Sequence, residues 1–104
     1  MSNKLIKYKT ITKYVVGEEK ALRSRFAFMI DWCRKNYVNC VYDRRNHTIT
    51  FRFPQLRIHY IFEFLTEKEW LNGEKASAPI IDICEGPSSF VEKGINTMEE
   101  ELGL

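Results

Sequence analysis

Arg52, Arg57 and His59 are the residues of this chain whose types and spacing carry chemistry. They sit in two runs, 47–53 and 56–64, in which apolar residues alternate with polar ones, and all three fall in the polar phase. A guanidinium presents a planar fork of N–H donors that matches phosphate or carboxylate. A two-residue turn at Pro54-Gln55 sets Phe53 against Leu56, Arg52 against Arg57, Thr50 against His59 and Thr48 against Ile61. Like charges directly opposed across strands weaken a sheet by roughly a few tenths of a kcal/mol, and an anion between them removes that repulsion. Arg44 and Arg45 at the adjoining turn, with Lys7, Lys9 and Lys13 on an N-terminal strand, extend the patch. The expectation is a partner-binding face made of Lys7, Lys9, Lys13, Arg44, Arg45, Arg52, Arg57 and His59.

Catalysis needs a convergent set, and the spacing does not supply one. The two histidines, His47 and His59, fall in opposite phases, so they do not form an acid–base pair. No Ser or Cys has a nucleophile's setting, and no glycine-rich loop cradles a phosphate. Cys33, Cys40 and Cys84 are scattered, without a CxxC and without zinc-ligand spacing. No cofactor, metal or catalytic residue is therefore assigned, and the chain reads as a non-enzyme. The remote alternative is a small metal-free ribonuclease, with His59 as base and Arg52 and Arg57 on the phosphate.

A second surface comes from Arg25, Phe28 and Trp32, the residue types that dominate binding energy at protein interfaces. A third is the acidic run Glu99, Glu100 and Glu101, at the end of a helix where its dipole disfavours carboxylates.

The elements that position these residues follow from periodicity. Residues 4–16 alternate, with Ile6, Tyr8, Tyr14 and Val16 on one face and Lys7, Lys9 and Lys13 on the other. Gly17 then opens a helix whose core stripe is Leu22, Phe26, Met29, Ile30, Cys33 and Tyr37. Three strands follow at 38–43, 47–53 and 56–64, the first carrying Val38, Cys40 and Tyr42 inward. Thr66 with Glu69 forms a capping box for a short helix bearing Trp70, and Gly73 stops it. Residues 72–79 form a loop, and 80–84 are a short buried strand. A second capping box at Ser89 and Glu92 opens a last helix with Val91, Ile95, Met98 and Leu102 inward and Gly103 as its stop. Gly94 inside that helix costs about 1 kcal/mol relative to Ala.

This order gives a single α+β domain over residues 1–104. Its mainly antiparallel sheet, a three-stranded meander plus the N-terminal strand, packs against a long amphipathic helix and a C-terminal helix. In outline, the helix–three strands–helix order resembles the double-stranded-RNA-binding domain. That family carries a Lys-rich start to its second helix, whereas here both candidate helices begin with acidic residues, Glu67 or Glu92.

Charge and composition close the reading. Residues 1–60 hold 13 Lys and Arg against 4 Asp and Glu, whereas 61–104 hold 3 Lys against 10 Asp and Glu. The net charge of +2 thus conceals two opposite poles. With 44% hydrophobic residues the chain closes a modest core. No apolar run is long enough to cross a membrane, and the N-terminus MSNKLIKYKTITK lacks the apolar stretch of a secretory signal. An odd cysteine count without such a signal points to free thiols in a reducing cytoplasm. The reading is a small cytoplasmic binding or regulatory protein that occupies a macromolecular partner, in the manner of phage and mobile-element inhibitors. A protein partner leads, nucleic acid is the alternative, and a homodimer is compatible with the opposed poles.

Overall fold

The computed structural model describes residues 7–36, 39–73, 80–81 and 86–104. Its elements run β1 (Lys9–Gly17), α1 (Glu19–Asn36), β2 (Cys40–Asp43), β3 (Thr48–Phe53), β4 (Ile58–Thr66), α2 (Glu67–Asn72), β5 (Ile80–Ile81) and α3 (Pro87–Leu102). This is the expected α+β domain, with a long helix and a C-terminal helix packed on one sheet. β2, β3 and β4 form the antiparallel meander, and β1 joins β4 in parallel, so the spatial order is β2-β3-β4-β1-β5. The long connection through α1 is what lets β1 lie parallel to its neighbour.

Alternation in the meander sends Ile49, Phe51, Phe53, Tyr60, Phe62 and Phe64 inward, where all are buried. α1 delivers Leu22, Met29, Ile30 and Cys33 to the same side, and α3 delivers Phe90, Val91, Ile95 and Met98. The rings interlock edge to face: Phe51 and Phe62 are 5.8 Å apart at 83°, and Phe26 and Phe64 are 5.2 Å apart at 84°. Such pairs contribute about 1 kcal/mol each beyond the area they bury. Gly94 is buried where α3 crosses α1, and a Cβ there would meet Met29 Cε at 3.4 Å. That is an ordinary van der Waals distance, so the site has room for a methyl group but not for a larger side chain.

Four sequence expectations change. The β3–β4 turn is a four-residue loop, 54–57, so Phe53 pairs with Ile58, Thr50 with Ile61 and Thr48 with Glu63. Pro54 cannot take the positive φ that a two-residue hairpin turn requires at its first position. Instead Arg57, at the last loop position, adopts φ 55°. The 44–47 loop repeats this design, with His47 at φ 52°. β1 is inverted: Ile11 and Val15 face the core, and Tyr14 packs on Trp70 of α2 on the opposite side. α3 begins two residues before Ser89, with Gly86 as N-cap and Pro87 in its first turn, so the second capping box does not form. The first box, Thr66 with Glu69, is present, and Gly103 closes α3 in the left-handed region at φ 72°. Tyr37, Val38 and Cys84 lie outside the described residues.

Candidate anion-binding face

Both large helices lie on one side of the sheet, so its other face carries the polar phase of β3, β4 and β1. Across it, Arg52 pairs with His59, and His59 with Thr10. In the next row, Thr50, Ile61 and Thr12 line up. None of these residues is buried. Among the described residues, α2 covers only the far end, where Trp70 meets Tyr14 with ring centres 5.7 Å apart. At the near end Tyr8 stacks on His59, with ring centres 4.6 Å apart and planes at 27°. Tyr8 stays 37% exposed, enough to offer a ring edge and part of a face to a ligand.

Arg52 is not opposite Arg57, as the two-residue turn implies; it is opposite His59. The arginines remain neighbours, because Arg57 ends the loop that leaves β3 one residue after Arg52. Its carbonyl accepts from the Lys9 N–H at 2.9 Å, which ties the start of β1 to that loop. Lys7, Tyr8, Arg52, Arg57 and His59 thus converge on one end of the sheet. No ion pair to Lys7, Arg52 or Arg57 occurs among the described residues.

The other members of the expected patch lie elsewhere. Arg44 and Arg45 occupy the 44–47 loop, at the opposite end of β3 and roughly 20 Å away at strand rise. Arg44 lies over the Tyr42 ring, 5.7 Å from its centre. Arg34 lies at the same distance and donates to the Tyr42 hydroxyl at 2.8 Å. Hydrogen bonding to Arg34, its charge, and the lesser effect of Arg44 hold that phenol below its ordinary range. Lys13 is turned to the helix side by the inversion of β1. Its Nζ lies 3.0 Å from Glu101 Oε2 on α3, and the same oxygen accepts from the Tyr60 hydroxyl at 2.8 Å. Lys9 adds charge to this site: burial alone would raise the Glu101 carboxyl, but Lys13, Tyr60 and Lys9 together hold it below the usual range.

The Arg25, Phe28 and Trp32 surface is divided. Arg25 is buried, 8% exposed, with Nη1 donating to the Ala21 carbonyl at 3.4 Å. Trp32 leans on Phe51 of the core, and only Phe28 is exposed, at 46%. Phe28 and Trp32 line a groove of about 560 Å³ against Val91 and Ile95 of α3. A larger cleft of about 780 Å³ runs between α1 and the 44–47 loop. Phe26, Ile30 and Phe64 contribute apolar lining, and its charged residues include Arg44 and Asp31. Its mixed charge selects no single kind of ligand.

The two histidines lie at opposite ends of β4 and do not face each other. His47 lies beside Phe26, ring centres 6.1 Å apart, next to the Thr48–Glu63 pair, whereas His59 is at the Arg52 end of β4. Among the described residues, no three of His, Cys, Asp or Glu could hold a metal, and no helix is long and apolar enough to cross a membrane.

Sequence reasoning misses two features. Tyr8 reads as a core residue because its phase matches Tyr14, and only the inversion of β1 sends it to the open face. Cys33 and Cys40 lie on separate elements without motif spacing, yet their sulfurs are 2.8 Å apart. No family model, curated protein or solved structure matches the chain.

Proposed function

We propose that this chain is a small non-enzymatic binding protein that works by occupying an anionic macromolecular partner with the open end of its sheet. The observation that carries this reading is the Arg52–His59 pair beside exposed Tyr8, on the face away from both long helices, with Arg57 in the loop that adjoins it. An uncompensated basic cluster with an aromatic at its centre is the composition of a binding epitope rather than a solvated sheet face. The small size and the lack of a catalytic set fit an inhibitor or modulator of the kind encoded by phages and mobile elements, acting in the cytoplasm.

The test is affinity purification from the native cell, comparing the unaltered chain with Arg52→Glu/Arg57→Glu, with mass spectrometry and nucleic-acid staining of the eluates. A macromolecule held by the first and lost from the second is the expected result. A partner retained equally by both would place the binding surface elsewhere.

A further inference from the structure

We infer that the anionic partner of this face is a single-stranded nucleic acid, with an unpaired base on the Tyr8–His59 stack and its phosphates on Arg52 and Arg57. This rests on the reading of the open face as a binding surface and names the chemistry it takes.

Three observations converge on that ligand. The first is the ring pair itself. Tyr8 and His59 stack at 4.6 Å and 27° on an otherwise thinly covered sheet, although the aromatic residues of the meander's inward phase are consumed by the core. An exposed stacked pair extends naturally by one more flat ring, and every nucleobase has a π-face to offer.

The second is the charge around it. Arg52 stands directly across from His59, and Arg57 closes the adjoining loop. Two arginines therefore lie at the end of the sheet that carries the rings, within reach of a backbone passing over a stacked base. The acidic C-terminus reaches the helix side of this end instead, where Glu101 engages Lys13. The basic side chains at the Tyr8 end of the open face are those of Arg52 and His59.

The third is shape. The face is a sheet surface of Thr10, Thr12, Thr50 and Ile61, with hydroxyls beside a partly apolar floor. Among the described residues, no helix stands on it at this end that could enter a duplex groove. In a duplex the base faces are hidden within the stack, so the rings would contribute nothing. Unpaired bases alone bring both the stacking and the phosphate contacts into use.

The test is fluorescence anisotropy of the full chain with a labelled thymidine oligonucleotide of about twelve nucleotides, its duplex, and a polyglutamate peptide. The single strand is expected to bind more tightly than the duplex. Two neutralised phosphates predict roughly a sevenfold loss of affinity between about 50 and 200 mM salt. Tyr8→Ala should weaken binding about tenfold or more, and Tyr8→Phe should restore it. Lys93→Ala, on exposed α3, should change nothing. Equal affinity for duplex and single strand, or indifference to Tyr8→Ala, overturns the inference. If only polyglutamate binds, and Arg52→Glu/Arg57→Glu abolishes that binding, the ligand assignment falls while the anion-binding face stands. If none of the three probes binds at about 20 mM salt, both fall.

Discussion

Lys13 and Glu101, near opposite ends of the chain, meet 3.0 Å apart on the helix side of the sheet, with Tyr60 donating to the same carboxylate oxygen. The contact pins the end of α3 onto β1 and β4 and joins the basic half of the sequence to the acidic half. The two poles therefore partly satisfy each other within one molecule, away from the open face.

The Glu101 carboxyl sits below its ordinary value of 4.5, because Lys13, Tyr60 and Lys9 outweigh the cost of burial. A depressed carboxylate stabilises the fold above its unfolded pKa, and that stability is lost as pH falls through the folded value. Glu101→Gln keeps an acceptor for Tyr60 and removes the charge. It should lower stability by about 1 kcal/mol at neutral pH in urea denaturation, allowing for the partial exposure of the pair. The difference should shrink as pH drops below 4.5. A pH-independent gap would show that the charge plays no part.

Arg57 and His47 adopt the left-handed region at φ 55° and 52°. A non-glycine residue there is strained by about 1 kcal/mol. His47→Gly and Arg57→Gly should therefore each leave thermal stability unchanged or raise it, by up to about 1 kcal/mol. Only Arg57→Gly should also weaken anion binding. Marked destabilisation of either variant would mean that the side chain, rather than the backbone, holds its loop.

Gly94 costs α3 helix propensity, yet a Cβ there meets only the mobile end of Met29 at 3.4 Å and the Phe62 ring at 3.8 Å. Gly94→Ala should gain up to about 1 kcal/mol of stability. Gly94→Leu, which must push into Phe62 and Met29, should lose about 2 kcal/mol or more. Chemical denaturation of the pair reads both signs, and equal behaviour would mean that α3 does not pack this closely on α1.

Cys33 and Cys40 stand 2.8 Å apart as free thiols. Their shared hydrogen bond, reinforced by burial, holds the Cys33 thiol up, and the same bond draws Cys40 down. Cys40 is the more exposed of the two thiols and the one a disulfide reagent meets first. Its thiolate should attack oxidised glutathione and release one glutathione thiolate, and Cys33 should then displace the second. In a Cys84→Ser background the expected product is a chain about 2 Da lighter, with no adduct. Cys33→Ser should stop at the glutathione mixed disulfide. Failure of the unaltered pair to close would show that the thiols cannot reach disulfide geometry.

The elements were largely legible from residue order. Helix spacing places Leu22, Met29, Ile30 and Cys33 on one stripe, and alternation in the meander separates Phe51, Phe53 and Phe62 from Arg52 and His59. The Thr66 capping box and the Gly103 stop are local hydrogen-bond chemistry, and both form as written. The candidate face was legible only in part. Arg52, Arg57, His59 and Lys7 do share one end of the sheet, whereas Arg44 and Arg45 belong to the other, and Lys13 leaves the patch for Glu101.

The sequence by itself thus determined which residues are strand, which are helix, and which phase of the meander is buried. Those choices rest on periods of two and 3.6 residues and on caps within a few positions. The tertiary structure alone decided the partner of Arg52 and the facing of β1. A shift of two residues at the β3–β4 turn keeps every side chain on its own face, so the apolar pattern is blind to it. Both phases of β1 carry apolar residues, and the choice between them is made by distant groups: Glu101 receiving Lys13 on one side and Trp70 covering Tyr14 on the other.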